Sequence, residues 1–143
     1  IMKSPLIAVM HPTHALANRD SLSIKDLSGF PMINFSPQAN PITSDFNKQI
    51  FKKAGAQLNI VREIPNIETA AFCASINEGV FIMPEYLRSS IGSIRTIPLS
   101  DPFAYVTLNL IWKKKNPNIS IPVFVDSFST YIQNRNPNLT PDD

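Results

Sequence analysis

Apolar residues change rhythm along this chain in a way that separates strands from helices. Leu6–Met10 is a short, wholly apolar run, the pattern of a strand covered on both faces. Met32–Phe35 and Gly79–Met83 read as further buried strands, while Leu58–Ile64, Ile94–Leu99 and Val106–Trp112 alternate enough to be strands. Between them, Phe46, Ile50 and Ala54 recur every four residues with Phe51 alongside, one apolar helical face. Ile67–Ile76 is apolar almost throughout (Ala70, Ala71, Phe72, Ala74), which predicts a helix buried against the sheet. Phe124, Phe128, Tyr131 and Ile132 predict a buried stripe on a last helix, capped by Ser120 with Pro122 in its first turn. Asn136 onward reads as a frayed tail.

Boundary residues agree with these periods. Ser23 can cap a short helical turn carrying Asp26 near its positive end, and Gly29 ends it. Thr43 is suited to cap the helix that follows the turn-rich loop Ser36–Pro41; Asp45 falls in its first turn, Lys52 and Lys53 in its last, and Gly55 just beyond. Asn77 suits a left-handed helix end, and Pro84 suits the start of the next helix. A helix running through Asn77 straight into a buried strand is half of a βαβ unit, so the fold class is α/β with five or six strands and four or five helices. Such sheets seat small ligands at the carboxyl ends of their strands.

Composition narrows the function classes. The 143 residues suit one domain, and 43% hydrophobic with 17% charged residues describes an ordinary globule. A net charge of +2 is too slight to predict nucleic-acid binding, and Lys113–Lys115 reads as a solvated strand end. No apolar run reaches the roughly 20 residues of a membrane span, and the start has no signal-peptide layout. The single cysteine excludes an internal disulfide and fits a reducing compartment. His11, His14 and Cys73 lack the spaced ligand pairs of a metal site; His14 is expected to support its loop, and Cys73 to be an inert buried thiol. Glu63, Glu68, Glu78 and Glu85 form no paired-carboxylate or Ser-His-Asp arrangement, so neither an enzymatic role nor a cofactor is expected.

The succession Pro5-Leu6-Ile7-Ala8-Val9-Met10, His14-Ala15-Leu16-Ala17, Leu22-Ser23-Ile24-Lys25-Asp26-Leu27, Phe30-Pro31-Met32-Ile33 and Glu78-Gly79-Val80-Phe81-Ile82-Met83-Pro84 resembles the effector-binding domain of LysR-type transcriptional regulators. Leu110-Ile111-Trp112-Lys113-Lys114 and an amphipathic last helix resemble the family's ending. The likeness covers about residues 4–133; Ala15 stands where the family commonly has proline, and Asn77 where it commonly has glycine. It implies a periplasmic-binding-protein-like (type II) fold with a mixed, mostly parallel sheet flanked by helices. It also implies a second lobe over residues 11–100, a hinge strand at 1–10, a hinge return with a strand and helix of the first lobe at 101–133, and a tail at 134–143. On this likeness the chain is expected to be a truncated form or proteolytic fragment of a longer bacterial, cytoplasmic regulator. That regulator would be a homo-oligomer whose DNA contact lies in an absent N-terminal winged helix-turn-helix. Alone, the chain is expected to bind its effector weakly or not at all, and Leu110, Trp112, Phe124 and Phe128 to pack on the second lobe or on another copy. The rival reading is a solute-binding protein of the same fold, which would carry a secretion signal or lipid anchor upstream.

The effector would sit between the lobes. A helix N-terminus offers free N–H groups and partial positive charge, so a carboxylate or other anion suits the strand-to-helix turn. The expected contacts are Ser36, Gln38, Asn40, Pro41, Ile42 and Thr43, with Ser44 as a further donor and Ile67 as an apolar wall on the next helix. The bland alternative is that Thr43 only caps its own helix and Ile67 is only core.

Overall fold

The computed structural model describes residues 2–109, 111–113 and 117–135. The chain forms two compact units, one of Pro5–Tyr105 and one of the described residues within Ile1–Ser4 and Val106–Asp143.

The Pro5–Tyr105 unit is an α/β layer structure. Strand β1 (Met2–Met10) has antiparallel neighbours on both sides: β4 (Phe81–Pro84), with Ala8 opposite Ile82, and β5 (Arg95–Pro98), with Ala8 opposite Ile97. Strands β2 (Pro31–Phe35) and β3 (Asn59–Ile64) pair in parallel, ending with Phe35 opposite Ile64. Val80, just ahead of β4, bridges to Met32 in parallel, donating to Pro31 O at 2.9 Å and accepting from Ile33 N at 2.8 Å. The sheet is therefore mixed. Its antiparallel share is centred on β1, which runs against both neighbours.

Both faces of β1 are covered over Leu6–Met10, which is why that run does not alternate. Ile7 and Val9 join Ile33, Ile64, Phe81, Met83 and Ile91 under helix α2 (Ile67–Ser75), through Ala70, Cys73 and Ala74. Leu6, Ala8 and Met10, the alternate positions, are buried too. Helix α1 (Pro41–Ala54) lies on β2 and on a short 3-10 turn (Ile24–Leu27), burying Ile50 and Phe51. Each such side chain contributes roughly 1.5–3 kcal/mol of burial.

The turn at Ile24–Leu27 forms as its sequence implies: Ser23 accepts from Asp26 N, and Asp26 accepts from Ser23 N at 2.7 Å. Asn77 adopts φ 61 between α2 and Val80, and Gly55 ends α1 at φ 64. Gly79 is required for closeness, because a Cβ there would lie 2.8 Å from Pro31 O.

Three expectations change. Helix α2 is buried on one side only; Phe72 (63% exposed) and Ile76 face solvent, because small residues Ala70 and Ala74 make the sheet contact. Strand β6 (Tyr105–Leu108) pairs with β1 but stops before Trp112, and Leu110 lies outside the described residues. Helix α3 (Ser120–Arg135) presents Phe124, Phe128 and Tyr131 to solvent, and Trp112 is exposed as well. The described residues of that unit offer only β6 and the start of β1 as partners, too little surface to cover a 16-residue helix. Phe124 and Phe128 stack on each other at 5.6 Å, and Asn118 rather than Ser120 supplies the side-chain acceptor at the helix start, taking Ser120 N at 3.0 Å. Ile132's side chain, Lys114, Lys115 and the expected tail beyond 135 fall outside the described residues.

Candidate effector-binding site

Parallel strands β2 and β3 end side by side, and each is followed by a helix, so the N-termini of α1 and α2 open at the same edge of the sheet. Ser36 N donates to Ile64 O at 2.9 Å, tying the loop after β2 to the end of β3. The Ser36 hydroxyl accepts from Ala39 N at 3.1 Å, and Ser36 O accepts from Asn40 N at 2.9 Å, so the loop is a compact turn.

Helix α1 begins three residues earlier than a cap at Thr43 implied. Pro41 occupies the first helical position, where its missing N–H costs nothing, and Asn40 is the cap, its Oδ1 accepting from Thr43 N at 3.1 Å. Thr43 is therefore not the cap, and Asp45 lies beyond the first turn. Asn40's oxygen is committed to its own helix. Ser44 N donates to Asn40 O, which leaves Ile42 N–H as the first-turn amide without a partner among the described residues. Ile42's side chain is 82% exposed beside it. Gln38 is exposed and Thr43 half-buried. Ser44, by contrast, is fully buried and faces the sheet, so it is not a donor to solvent.

The second helix N-terminus is occupied by its own groups. Asn66 Oδ1 accepts from Thr69 N at 2.9 Å and from Thr69 Oγ1 at 2.8 Å, and Glu68 sits in the first turn. Ile67 is half-buried and packs against the core under α2. Of the two helix starts, that of α1 therefore presents more donors, at Ile42 N–H, Gln38, Ser36 and Thr43, beside the exposed apolar side chain of Ile42.

Sequence reading missed Asn34 and Asn47. Both are buried, and Asn47 Nδ2 donates to Asn34 Oδ1 at 2.8 Å while Asn34 Nδ2 reaches Ser44 Oγ at 3.4 Å. The available signal was the spacing 44, 47, 51, which continues the buried stripe of α1 through polar residues.

Three titratable groups elsewhere, His14, Cys73 and Glu78, have partners within the fold. His14 Nδ1 accepts from Leu16 N at 3.2 Å, its ring meets Phe30 at 5.2 Å, and burial lowers its pKa. Cys73 is buried beside Glu78; burial, then its hydrogen bond to Glu78, raises the thiol's pKa. Glu78 also accepts from Arg62 Nε at 2.7 Å, and that bond holds its carboxyl below the usual range. Among the described residues no helix is long and apolar enough to cross a membrane, and no group of three His, Cys, Asp or Glu could hold a metal.

The sequence profile of the family described as "LysR substrate binding domain" matches residues 1–131. The HTH-type transcriptional regulator YwbI of Bacillus subtilis is 28% identical over 116 residues, covering 80% of this chain and 38% of that one. The chain therefore spans well under half the length of this relative. The effector-binding domain of a BenM variant superposes with a TM-score of 0.85 at 17% identity, covering 99% of this chain and 67% of that one. The BenM effector-binding domain with its effector benzoate superposes at 0.80 and 18% identity, covering 98% and 64%. These likenesses identify the fold as type II periplasmic-binding-protein-like.

Proposed function

Because the chain belongs to the LysR substrate-binding domain family, we propose that it is the effector-sensing part of a bacterial transcriptional regulator. The effector is a small carboxylate or related anion, held at Ser36–Thr43 with Ile67 on the neighbouring helix. The observation that supports this reading is the first turn of α1, where an unpartnered amide at Ile42 adjoins an apolar side chain left in solvent. A carboxylate carrying an apolar body satisfies both at once. Benzoate, the effector of the BenM domain, is such a molecule.

In this reading the effector closes a cleft between two lobes and shifts a population of arrangements of a homo-oligomer. DNA is contacted by a winged helix-turn-helix elsewhere in the full protein, coupled to the effector by about 1–3 kcal/mol. The domain is not an enzyme and works in the cytoplasm. The test is a thermal-shift screen of the full-length regulator against carboxylates, repeated with Ile42→Asp. A carboxylate that raises the melting temperature of the parent and not of the variant supports the reading. Equal stabilisation of both, or none by any carboxylate, contradicts it.

A further inference from the structure

The N-terminal half of α1 is not held to the sheet by apolar burial. Ile42 points to solvent, Phe46 is half-buried, and the two buried positions are Ser44 and Asn47; Ile50 and Phe51 enter the core only in the second half. Opposite Ser44 and Asn47 stands Asn34, the next-to-last residue of β2, 2% exposed. Its carboxamide accepts from Asn47 and donates to Ser44, and no buried side-chain nitrogen or oxygen among the described residues lacks a partner.

Three desolvated polar side chains are a costly way to fill a helix–sheet interface that apolar residues of similar size would fill as well. What hydrogen bonds add is direction. Ser44 and Asn47 lie three residues apart, nearly one turn, so bonds from one carboxamide to both fix the helix's rotation and its position along β2. The same turn carries Ile42 N–H and the Thr43 hydroxyl.

We propose that Asn34, Ser44 and Asn47 are positioning residues that hold the first turn of α1 at one angle to β2 and so aim the donors of residues 36–43. This rests on the reading that those donors take the effector, and it assigns the site's discrimination among anions to a cluster one layer beneath it.

The test is amide hydrogen exchange on the whole chain. Asn34→Leu/Ser44→Ala/Asn47→Leu removes all the partners together and orphans none, so global stability should hold while directionality is lost. The expected result is exchange at Asp45–Lys48 about tenfold faster relative to Phe51–Ala54, with an unchanged melting temperature. Ser44→Ala, which removes one hydroxyl, should move the same ratio by a smaller factor and serves if the triple variant does not fold. A ratio unchanged in the variant that folds, or one that stays constant because both segments speed up together, would overturn the proposal. The readout needs no ligand. Failure of the full-length regulator to bind any carboxylate would therefore count against the anion site and leave the exchange result standing.

Discussion

Placing a methyl group at position 79 tests the packing that aligns β2 with the start of β4. Gly79→Ala puts a Cβ 2.8 Å from Pro31 O, 3.2 Å from Pro31 C and 3.3 Å from Ile33 Cγ1. Ordinary contact begins near 3.4 Å, so the carbonyl must retreat by 3.4 − 2.8 = 0.6 Å. That carbonyl is held by Val80 N at 2.9 Å, and Val80 O is held by Ile33 N at 2.8 Å, so the backbone cannot yield without stretching a paired bridge. Overpacking of this kind costs about 1–3 kcal/mol, and a weakened backbone bond adds about 1 kcal/mol. At roughly 3 °C per kcal/mol for a chain of this size, the melting temperature should fall by about 6–12 °C by calorimetry. Gly55→Ala is the control: its Cβ meets nothing within 4 Å, but its left-handed φ +64, ψ 33 strains the backbone, for a smaller loss of roughly 1–2 kcal/mol. If Gly79→Ala melts within about 1 °C of the parent, the tight apposition of β2 and β4 is wrong.

Three further outcomes follow from local geometry. Asn40→Ala should cost about 1 kcal/mol in urea unfolding and Asn40→Ser much less, because only the first loses the acceptor for Thr43 N; equal losses would refute the cap. Burial holds His14 below its ordinary pKa, so the unfolded chain protonates first as pH falls through the ordinary histidine range. Stability should therefore drop between pH 7.5 and 5.5, and His14→Gln should flatten that slope; a slope unchanged in the variant would contradict this. Cys73, buried with a raised pKa, should resist iodoacetamide at pH 7.5 until denaturant is added; rapid native labelling would refute it.

Legibility in the sequence followed the range of the interaction. The Ser23–Asp26 capping box, Gly55 and Asn77 were readable because each is decided within about four residues. The cap at Asn40 is the exception: it too is decided within four residues, by Pro41's preference for the first helical position, but Thr43 offers an equally good cap. Phe72 was misplaced since an all-apolar helix does not say which side meets the sheet; the contact went to alanines. The Asn34–Ser44–Asn47 cluster joins a strand to the next helix, a contact that no single-element pattern encodes.

The account depends most on the α1 opening being an anion seat, and nitrogen-15 NMR titration of this chain with sodium benzoate tests that directly. Benzoate should shift the amides of Gln38 and Ile42 above all, weakly and saturating in the millimolar range, while neutral benzamide should not. Shifts centred elsewhere, or equal shifts from benzamide, would contradict it.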